Sequence, residues 1–413
     1  MVKPSLLGGL ERAAQLVRWA ARRGVRCVAS SSFDSSVGLA AHAALAALAD
    51  GVILSDGRPA LSPAHGLGTQ SWFARDVSPK PFATQRCADG VAVDGAASAA
   101  LLAGAALSVT FAEGAQPEVS THEVETPSGE RFSLRVFAVH PPGRPATTTP
   151  AALFLHGFMG TAHDWLPILR GLAASTGRSY AAVDLPGHGA SRSLSGASQG
   201  VPEVSEAMHQ LIKLLSPEPV ALVGYSMGAR VALHMALRTP PHARGRISRL
   251  VCISGTAGVR GGAAREARAA RDDALARALR SGGAQDFSKA WYKQRLFAPL
   301  ARKPGFAELE ERRAQQRDAG PLADALAAMS PGRAPDLWPD LAAASPDHAL
   351  PAVTFVVGSL DGKFLAAAHA MVGRAGKGLA AEVVEVRACG HAVHLEAPET
   401  LVGVLARALE SAL

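Results

Sequence analysis

The stretch Val220-Ala-Leu-Val-Gly-Tyr-Ser-Met-Gly228 ends an apolar run and leads into a helical pattern, Ala229–Leu237. It contains G-x-S-x-G between a strand and a helix, the context in which this motif carries a nucleophile. The turn is so tight that its flanking positions favour glycine, and it lifts the Ser226 hydroxyl out of the sheet. The next backbone N–H, on Met227, lies at a helix N-terminus, where it can donate to an oxyanion. The motif therefore predicts Ser226 as a nucleophile, with a chance Gly-Ser-Gly turn as the alternative.

A nucleophilic serine needs a base, and the base needs a group that orients it. In the strand–turn–helix folds that carry this serine motif, the acid and then the histidine follow the serine along the chain. Asp361 comes just after an apolar strand, in Val357-Gly-Ser-Leu-Asp361, and His391 follows the last strand candidate, in Cys389-Gly-His391. We therefore expect both side chains at the same edge of the sheet as Ser226.

A second oxyanion donor is expected from His156-Gly-Phe-Met-Gly160, which follows the first core strand. The predicted donor is the backbone N–H of Phe158, while His156 itself is expected to order the loop. The turn Asp184-Leu-Pro-Gly-His-Gly189 is expected to be architectural. Four further histidines lack the placement of a catalytic base, and structural or surface roles are favoured for them: His163, His188, His234 and His394.

Six strand candidates alternate with helical patterns after residue 150, which predicts a mostly parallel, doubly wound sheet. The predicted strands are Ala151–Leu155, Tyr180–Val183, Val220–Val223, Leu250–Ser254, Val353–Val357 and Glu382–Arg387. Before them, Val119–His140 alternates apolar and polar residues around a turn at Pro127–Gly129, which predicts a hairpin.

Roughly 100 residues separate the fourth predicted strand of this series from the fifth, whereas a simple crossover needs about a dozen. The excess, about residues 259–348, is predicted to form a helical cap over the carboxyl ends of the strands, where ligands bind in doubly wound sheets. With the serine, acid and histidine in this order, the predicted fold class is an α/β-hydrolase fold with a helical cap.

The bulk composition excludes several classes of protein. The chain has 413 residues and a formal charge of +7. Its arginines are scattered and form no dense basic run interleaved with aromatic residues, which argues against nucleic-acid binding. No apolar run reaches the ~18 residues of a membrane-spanning helix. The four cysteines, Cys27, Cys87, Cys252 and Cys389, are too widely spaced for a disulfide framework or a zinc site. The basic balance is compatible with a small anionic substrate.

The core motifs resemble 2-succinyl-6-hydroxy-2,4-cyclohexadiene-1-carboxylate synthase of menaquinone and phylloquinone biosynthesis. The resemblance rests on Gly224-Tyr-Ser-Met-Gly-Ala-Arg230, Leu155-His-Gly-Phe-Met-Gly160, Ala290-Trp-Tyr-Lys-Gln-Arg-Leu-Phe297, Gly358-Ser-Leu-Asp-Gly-Lys-Phe364 and Gly390-His391. It implies a carbon–oxygen lyase that needs no cofactor or metal and that eliminates pyruvate from 2-succinyl-5-enolpyruvyl-6-hydroxy-3-cyclohexene-1-carboxylate.

A substrate with several carboxylates implies arginines in the pocket. By resemblance, the substrate-binding residues are Tyr225, Arg230, Arg265, Arg268, Trp291 and Arg313. For each cap arginine a solvated helix face is the alternative, and that alternative is favoured for Arg271 and Arg277.

The N-terminal segment resembles the end of o-succinylbenzoate synthase, a metal-dependent enolase-type barrel. The matching stretches are Lys3-Pro-Ser-Leu-Leu-Gly-Gly-Leu-Glu11, Ser30-Ser-Ser-Phe-Asp-Ser-Ser-Val-Gly38 and His65-Gly-Leu-Gly-Thr69. Lys3 matches the second acid/base lysine of that family. About two βα units are predicted, with helices Leu10–Arg23 and Ser35–Ala49 and a strand Val25–Ala29, too few to close a barrel. We therefore expect no succinylbenzoate synthase activity from this chain.

The predicted organisation is a barrel fragment in residues 1–110, a linker in residues 111–118 and the α/β-hydrolase domain in residues 119–413. It resembles the fused plant and algal protein of the same pathway, which implies a chloroplast location and, as partners, other enzymes of that pathway. Two other readings stay open. One is a serine esterase or carbon–carbon hydrolase of the same fold, and the other is a non-catalytic interaction module.

Overall fold

The computed structural model divides the chain into two units, Met1–Thr110 and Phe111–Leu413. In the second unit it describes residues 117–141, 149–196, 200–315, 318–345 and 350–410. In the first unit it describes Ala13, Val17, Ala20, Cys27 and the backbone of residues 84–87 and 90–93.

Few of the predictions for the first unit fall on described residues. Ala13, Val17 and Ala20 are helical and buried, as the predicted helix Leu10–Arg23 requires. Cys27 is buried but belongs to no strand, so the predicted strand Val25–Ala29 is wrong at that residue. An antiparallel hairpin that the sequence did not predict joins β1 (Thr84–Cys87) to β2 (Gly90–Val93). The predicted barrel fragment otherwise lies outside the described residues, as does Lys3.

The second unit is built on one mixed sheet. Its strands are β3 (Glu118–Glu125), β4 (Arg131–Val139), β5 (Ala152–Leu155), β6 (Tyr180–Val183), β7 (Arg192–Ser193), β8 (Val220–Tyr225), β9 (Ile247–Ile253), β10 (Ala352–Gly358) and β11 (Ala381–Val386). The order is β11-β10-β9-β8-β5-β6-β4-β3, with β7 paired to β4. The six strands from β11 to β6 run parallel, whereas β3, β4 and β7 pair antiparallel. The predicted parallel sheet and the hairpin around Pro127–Gly129 are both confirmed.

Helices cover both faces of this sheet. The described helices of the second unit, including those of the cap, are α1 (Leu166–Thr176), α2 (Val201–Leu215), α3 (Met227–Leu237), α4 (Gly262–Tyr292), α5 (Phe306–Ala314), α6 (Ala319–Ala328), α7 (Trp338–Ala342), α8 (Gly362–Val372), α9 (Val393–Glu396) and α10 (Pro398–Glu410). On one face α2, α3 and α8 pack into a core cluster, and on the other α1 and α10 do so. Because both faces are covered, every residue of β5, β6 and β8 is buried, which explains their unbroken apolar runs.

A helical insertion between β9 and β10 forms the predicted cap. Its helix α4 is broken at Gly283, whose φ of +77° lies in the left-handed region that favours glycine. Leu279, Phe287 and Leu322 form its apolar interior, which Met159 of the sheet domain completes. The last helix of the insertion, α7, instead packs on the main core through Leu341. Within the described ranges, no helix has the length and apolar character needed to cross a lipid bilayer.

Candidate active site

Ser226 lies in a turn that only small flanking residues permit. It follows β8 and precedes α3, with φ +50° and ψ −100°. A Cβ at Gly224 would collide with the carbonyl of Gly228, and one at Gly228 would collide with the carbonyl of Leu155. The Ser226 N–H donates to the Ile253 carbonyl at 2.9 Å, and the Gly228 N–H donates to that of His156 at 3.1 Å. These bonds fix the serine at the carboxyl edge of the sheet.

The structure brings Ser226, His391 and Asp361 together. Ser226 Oγ lies 3.1 Å from His391 Nε2, and His391 Nδ1 lies 2.7 Å from Asp361 Oδ2. Asp361 follows β10 and His391 follows β11, so three parallel strands present these side chains at one edge. His391 and Asp361 are buried, with 2% and 5% of their surface exposed.

The hydrogen-bond partners of His391 determine which of its two ring nitrogens carries the hydrogen. The Asp361 carboxylate can only accept, so His391 Nδ1 carries the hydrogen and Nε2 is free to accept from the Ser226 hydroxyl. This arrangement can remove a proton from the serine, or through the serine from a substrate, and Asp361 stabilises the imidazolium that results.

The two predicted oxyanion donors are the backbone N–H groups of Met227 and Phe158, residues that line the same cavity as Ser226. Met227 opens α3, so its N–H has no acceptor within the helix. Phe158 lies in the loop after β5, which His156 holds in place. His156 Nδ1 donates to the Gly157 carbonyl at 2.8 Å, and its Nε2 accepts from the Leu185 N–H at 2.9 Å. His156 thus orders the loop that contains Phe158, as expected.

A cavity of about 840 Å³ opens between the cap and the sheet edge, over Ser226. Its apolar wall includes Phe158, Trp291, Phe297 and Phe364. Among the described residues, six cationic side chains line it, against two carboxylates, Asp272 and Asp361. The cations are Arg230, Arg268, Arg271, Arg295, Arg302 and Lys363. The excess of cations suits a ligand with several negative charges.

Arg230, four residues after Ser226, has unused hydrogen-bonding capacity. Its Nη2 donates to the Met329 carbonyl at 2.9 Å, while its buried Nε has no acceptor among the described residues. Burial and the neighbouring Arg268 guanidinium lower the pKa of Arg230 to about 10, so it still carries its charge at neutral pH. A charged donor left without a partner is costly, so an anion beside it would be stabilised.

Arg268 is held by a buried carboxylate of the cap. Its Nε donates to Asp272 Oδ2 at 2.8 Å, and the Ser330 hydroxyl donates to the same oxygen at 2.6 Å. Trp291 and Tyr225 also line the cavity. The indole Nε1 of Trp291 is buried, and no described residue accepts its hydrogen. Tyr225 packs against the His391 ring, and a Cβ at Gly157 would come within 2.6 Å of the Tyr225 ring.

Two of the predicted substrate-binding arginines, Arg265 and Arg313, lie outside the cavity lining. Arg265 Nη1 donates to the Ala334 carbonyl at 2.8 Å, and the residue does not line the cavity. Arg313, only 4% exposed, forms a buried ion pair with Asp164, and its Nε donates to Tyr292 Oη at 3.2 Å. Burial works against the charge of Arg313, but Asp164 and Tyr292 raise its pKa above the ordinary value. Both arginines hold parts of the protein together.

The sequence did not predict that several of the cationic residues would line the cavity. Arg271, for which a solvated helix face is favoured, is exposed but lines the cavity, whereas Arg277 does not line it. Arg295, Arg302 and Lys363 were not predicted as binding residues. Lys363 is two residues after Asp361, and Arg295 lies in the Trp-Tyr-Lys-Gln-Arg stretch, so proximity to a predicted site residue was the signal available for these two.

Three of the four histidines for which structural or surface roles are predicted lie in structural environments, and the fourth, His163, is exposed. His394 is buried between the rings of Trp165 and Tyr225, and burial lowers its pKa to about 3. His188 contacts the rings of His156 and Phe158, and burial lowers its pKa well below the ordinary value. His234 Nδ1 lies 3.0 Å from Ser205 Oγ, far from the cavity lining.

The fold agrees with that of known relatives. Residues 152–404 match the model of the alpha/beta hydrolase family. The structure of MenH from S. aureus superposes with a TM-score of 0.59 over 67% of this chain and 98% of that one, at 24% identity, which shows the shared fold.

Two curated relatives narrow the family. Protein PHYLLO, chloroplastic, of Arabidopsis thaliana is 33% identical over 96% of this chain, and the chain spans 24% of that relative's length. The 2-succinyl-6-hydroxy-2,4-cyclohexadiene-1-carboxylate synthase of Salmonella typhimurium is 32% identical over 67% of this chain and 99% of its own length. The chain thus belongs to the alpha/beta hydrolase family and, within it, to the 2-succinyl-6-hydroxy-2,4-cyclohexadiene-1-carboxylate synthases.

Proposed function

We propose that this chain eliminates pyruvate from 2-succinyl-5-enolpyruvyl-6-hydroxy-3-cyclohexene-1-carboxylate and forms 2-succinyl-6-hydroxy-2,4-cyclohexadiene-1-carboxylate. The observation that carries this proposal is the coincidence of an activated serine with a cation-rich cavity. The substrate has carboxylates on the ring, on the succinyl arm and on the enolpyruvyl group. Its charges therefore match the described part of the lining, which has six cations and two carboxylates. Both carboxylates already have partners within the protein.

The chemistry begins with a ring proton. The hydrogen on ring carbon 2 is acidified by the succinyl carbonyl, and Ser226, with His391 taking up its proton, acts as the base. The electrons left on carbon 2 form the double bond between carbons 2 and 3, and the ring double bond moves to carbons 4 and 5. The carbon–oxygen bond at carbon 5 then breaks, and enolpyruvate leaves and becomes pyruvate on taking a proton. No water is consumed, and no acyl-enzyme is formed.

The negative charge that develops during the reaction must be stabilised by hydrogen-bond donors. Deprotonation moves electron density onto the succinyl carbonyl oxygen, and the N–H groups of Phe158 and Met227 are our proposed donors to it. Preorganised donors of this kind typically contribute about 10²–10³-fold to a rate. Arg230, Arg268, Tyr225 and Trp291 are the proposed substrate-binding residues, joined by Arg271, Arg295, Arg302 and Lys363 at the cavity wall.

The same serine, histidine and donor pair would serve a serine esterase or carbon–carbon hydrolase, since fold alone does not choose the reaction. The cavity favours the lyase. An enzyme for apolar acyl groups has no use for Arg230, whose Nε is buried and unpaired among the described residues beside Ser226. No observation favours a non-catalytic module. By similarity to the chloroplastic relative, we propose a chloroplast location and association with enzymes of the same pathway.

Pyruvate release from the enolpyruvyl substrate tests the proposal, measured on residues 115–413 and on the full chain. We expect Ser226→Ala to lower kcat by at least about 10³-fold. Arg230→Ala should lower kcat/KM by about 10²-fold, because a charge-assisted hydrogen bond to a carboxylate is lost. Arg244→Ala, the same change at an exposed residue outside the cavity, should have no effect. Absence of pyruvate release together with Ser226-dependent turnover of p-nitrophenyl esters would favour the hydrolase instead.

A further inference from the structure

Neighbouring elements form hydrogen bonds with several consecutive residues of the loop that carries His391. Ser359 Oγ accepts from the Ala388 N–H at 2.9 Å, and the Leu360 N–H donates to the Cys389 carbonyl at 2.8 Å. These bonds come from the segment that also carries Asp361. They place the start of the loop, while the two contacts described next act on His391 and its immediate neighbours.

Glu396, in α9, binds the backbone on both sides of His391. Its Oε2 accepts from the Gly390 N–H at 2.6 Å, and its Oε1 accepts from the Ala392 N–H at 3.0 Å. The Cys389 thiol lies 3.9 Å from Oε2. Each carboxylate oxygen is thus occupied by a different peptide group, and only 5% of the Glu396 surface is exposed.

A buried carboxylate needs stabilising contacts within the protein, because taking it out of water is costly. No ion pair of the described residues includes Glu396, so peptide N–H groups supply its stabilisation. Packing alone would be served by an apolar residue of the same size. The need for two acceptor oxygens facing two donors explains the choice of a glutamate, since a glutamine would present an NH₂ group to one of the N–H groups.

Ser254 holds the same residue from the opposite direction. Its hydroxyl donates to the His391 carbonyl at 2.9 Å, and the residue is fully buried at the end of β9 with φ +49°. The position before His391 is restricted to glycine. A Cβ at Gly390 would come within 2.9 Å of Glu396 Oε1 and 2.8 Å of Pro299 Cγ.

We propose that Glu396 and Ser254 are positioning residues that clamp the backbone of His391 and so hold Nε2 within reach of Ser226. Neither residue lines the cavity, so both act through His391 and not on the substrate. An imidazole that alternates between accepting and releasing a proton must keep its distance to the serine in both states, and a backbone held from both sides prevents drift. The inference rests on the proposed function only in requiring a reactive Ser226.

The test uses the full chain and two readouts. One is pyruvate release, and the other is the rate at which diisopropyl fluorophosphate labels Ser226, a reaction in which Oγ displaces fluoride and which needs His391 as base. For Glu396→Gln we expect kcat and the labelling rate to fall together by about 10–100-fold, since a misplacement of ~1 Å has effects of this size. KM should stay within about twofold. Glu399→Gln, the same change at an exposed residue three positions on, should leave both rates unchanged.

Ser254→Ala removes the hold on the other side and should slow labelling by several-fold. It also decides the matter if Glu396→Gln fails to fold, because a folded Ser254→Ala chain that labels at the wild-type rate would overturn the clamp. Wild-type labelling in a folded Glu396→Gln chain, or a raised KM with unchanged kcat, would overturn it too. Normal labelling of the wild-type chain without pyruvate release would remove the proposed lyase function and leave the clamp to be decided by labelling alone.

Discussion

At the scale of single residues, Ser226 occupies a backbone conformation that few non-glycine residues adopt. Its φ of +50° with ψ −100° lies in the sparsely populated region, which typically costs about 1–3 kcal/mol. Three hydrogen bonds of the turn, from the N–H groups of Ser226, Gly228 and Arg230, hold it there. The strain places the hydroxyl 3.1 Å from His391 Nε2, so geometry that is unfavourable for the chain is favourable for the reaction.

Asp361→Asn tests the orienting role of the acid. The asparagine NH₂ would donate to His391 Nδ1 and so force the hydrogen onto Nε2, which then cannot accept from Ser226. We expect kcat to fall by about 10⁴-fold. The thermal midpoint should change little, because asparagine has the same shape as aspartate. Steady-state pyruvate release checks this.

The matched control for this substitution is Asp318→Asn. Asp318 caps α6 by accepting from the Gly320 N–H, which asparagine does equally well, and it lies outside the cavity. An Asp361→Asn chain that retained more than a tenth of the wild-type kcat would mean that Asp361 does not set the tautomer of His391.

At the scale of elements, the cap is joined to the sheet domain by a buried ion pair. Arg313 at the end of α5 pairs with Asp164, in the short 3₁₀ turn Ala162–Trp165 that precedes α1. Burial alone would raise the pKa of Asp164, but the Arg313 guanidinium holds it below the ordinary value. The cap helix therefore depends on a charge in the sheet domain, and the roof of the cavity depends on this contact.

Arg313→Ala should lower the free energy of unfolding by about 3–5 kcal/mol, because it leaves Asp164 buried without its partner. Arg280→Ala, which breaks an exposed ion pair with Asp324 between cap helices α4 and α6, should cost less than about 1 kcal/mol. Urea denaturation followed by tryptophan fluorescence measures both. Equal stability of the two variants, with a large rise in KM for Arg313→Ala alone, would return Arg313 to the substrate-binding set.

At the scale of the whole molecule, histidines are buried away from the site. His209 in α2 is 5% exposed with neither ring nitrogen bonded to a described residue, and His234 in α3 faces Ser205. Burial lowers the pKa of each to about 4, from an ordinary 6.5. Both rings are therefore neutral in the folded protein through the mildly acidic range, whereas the unfolded chain protonates them.

These depressed pKa values predict acid sensitivity. Between pH 6.5 and about 4 the unfolded chain binds more protons than the folded one, so the free energy of unfolding is complete above pH 6.5 and falls as the pH drops towards 4. Each histidine contributes up to about 3 kcal/mol to that loss. Thermal midpoints measured from pH 7.5 to 4.5 should fall less steeply for His209→Leu. The exposed His369→Gln should follow the wild-type curve, and an unchanged slope in His209→Leu would contradict the assignment.

Much of the second unit was predictable from the sequence because its signals are local. The sequence identified all six parallel strands to within about three residues, and burial on both faces explains the unbroken apolar runs of β5, β6 and β8. The glycines around Ser226 are likewise a local requirement, because the turn they permit spans five residues. The order of Asp361 and His391 after later strands then brought them to one edge.

Other features were decided only by the tertiary structure. Whether a cap arginine meets a substrate or a carboxylate depends on partners far along the chain: Asp164 is 149 residues from Arg313, and Ala334 is 69 residues from Arg265. Arginines for both roles look alike in a basic helical segment. Glu396 could not be singled out from the sequence, because its two partners are backbone N–H groups, which carry no sequence signal. The sequence by itself determined the strands, the serine turn and the order of the acid and histidine, since each is set by neighbours in the chain. The lining of the cavity and the hold on His391 were decided by packing across the sheet, since these contacts join residues that only the fold brings together.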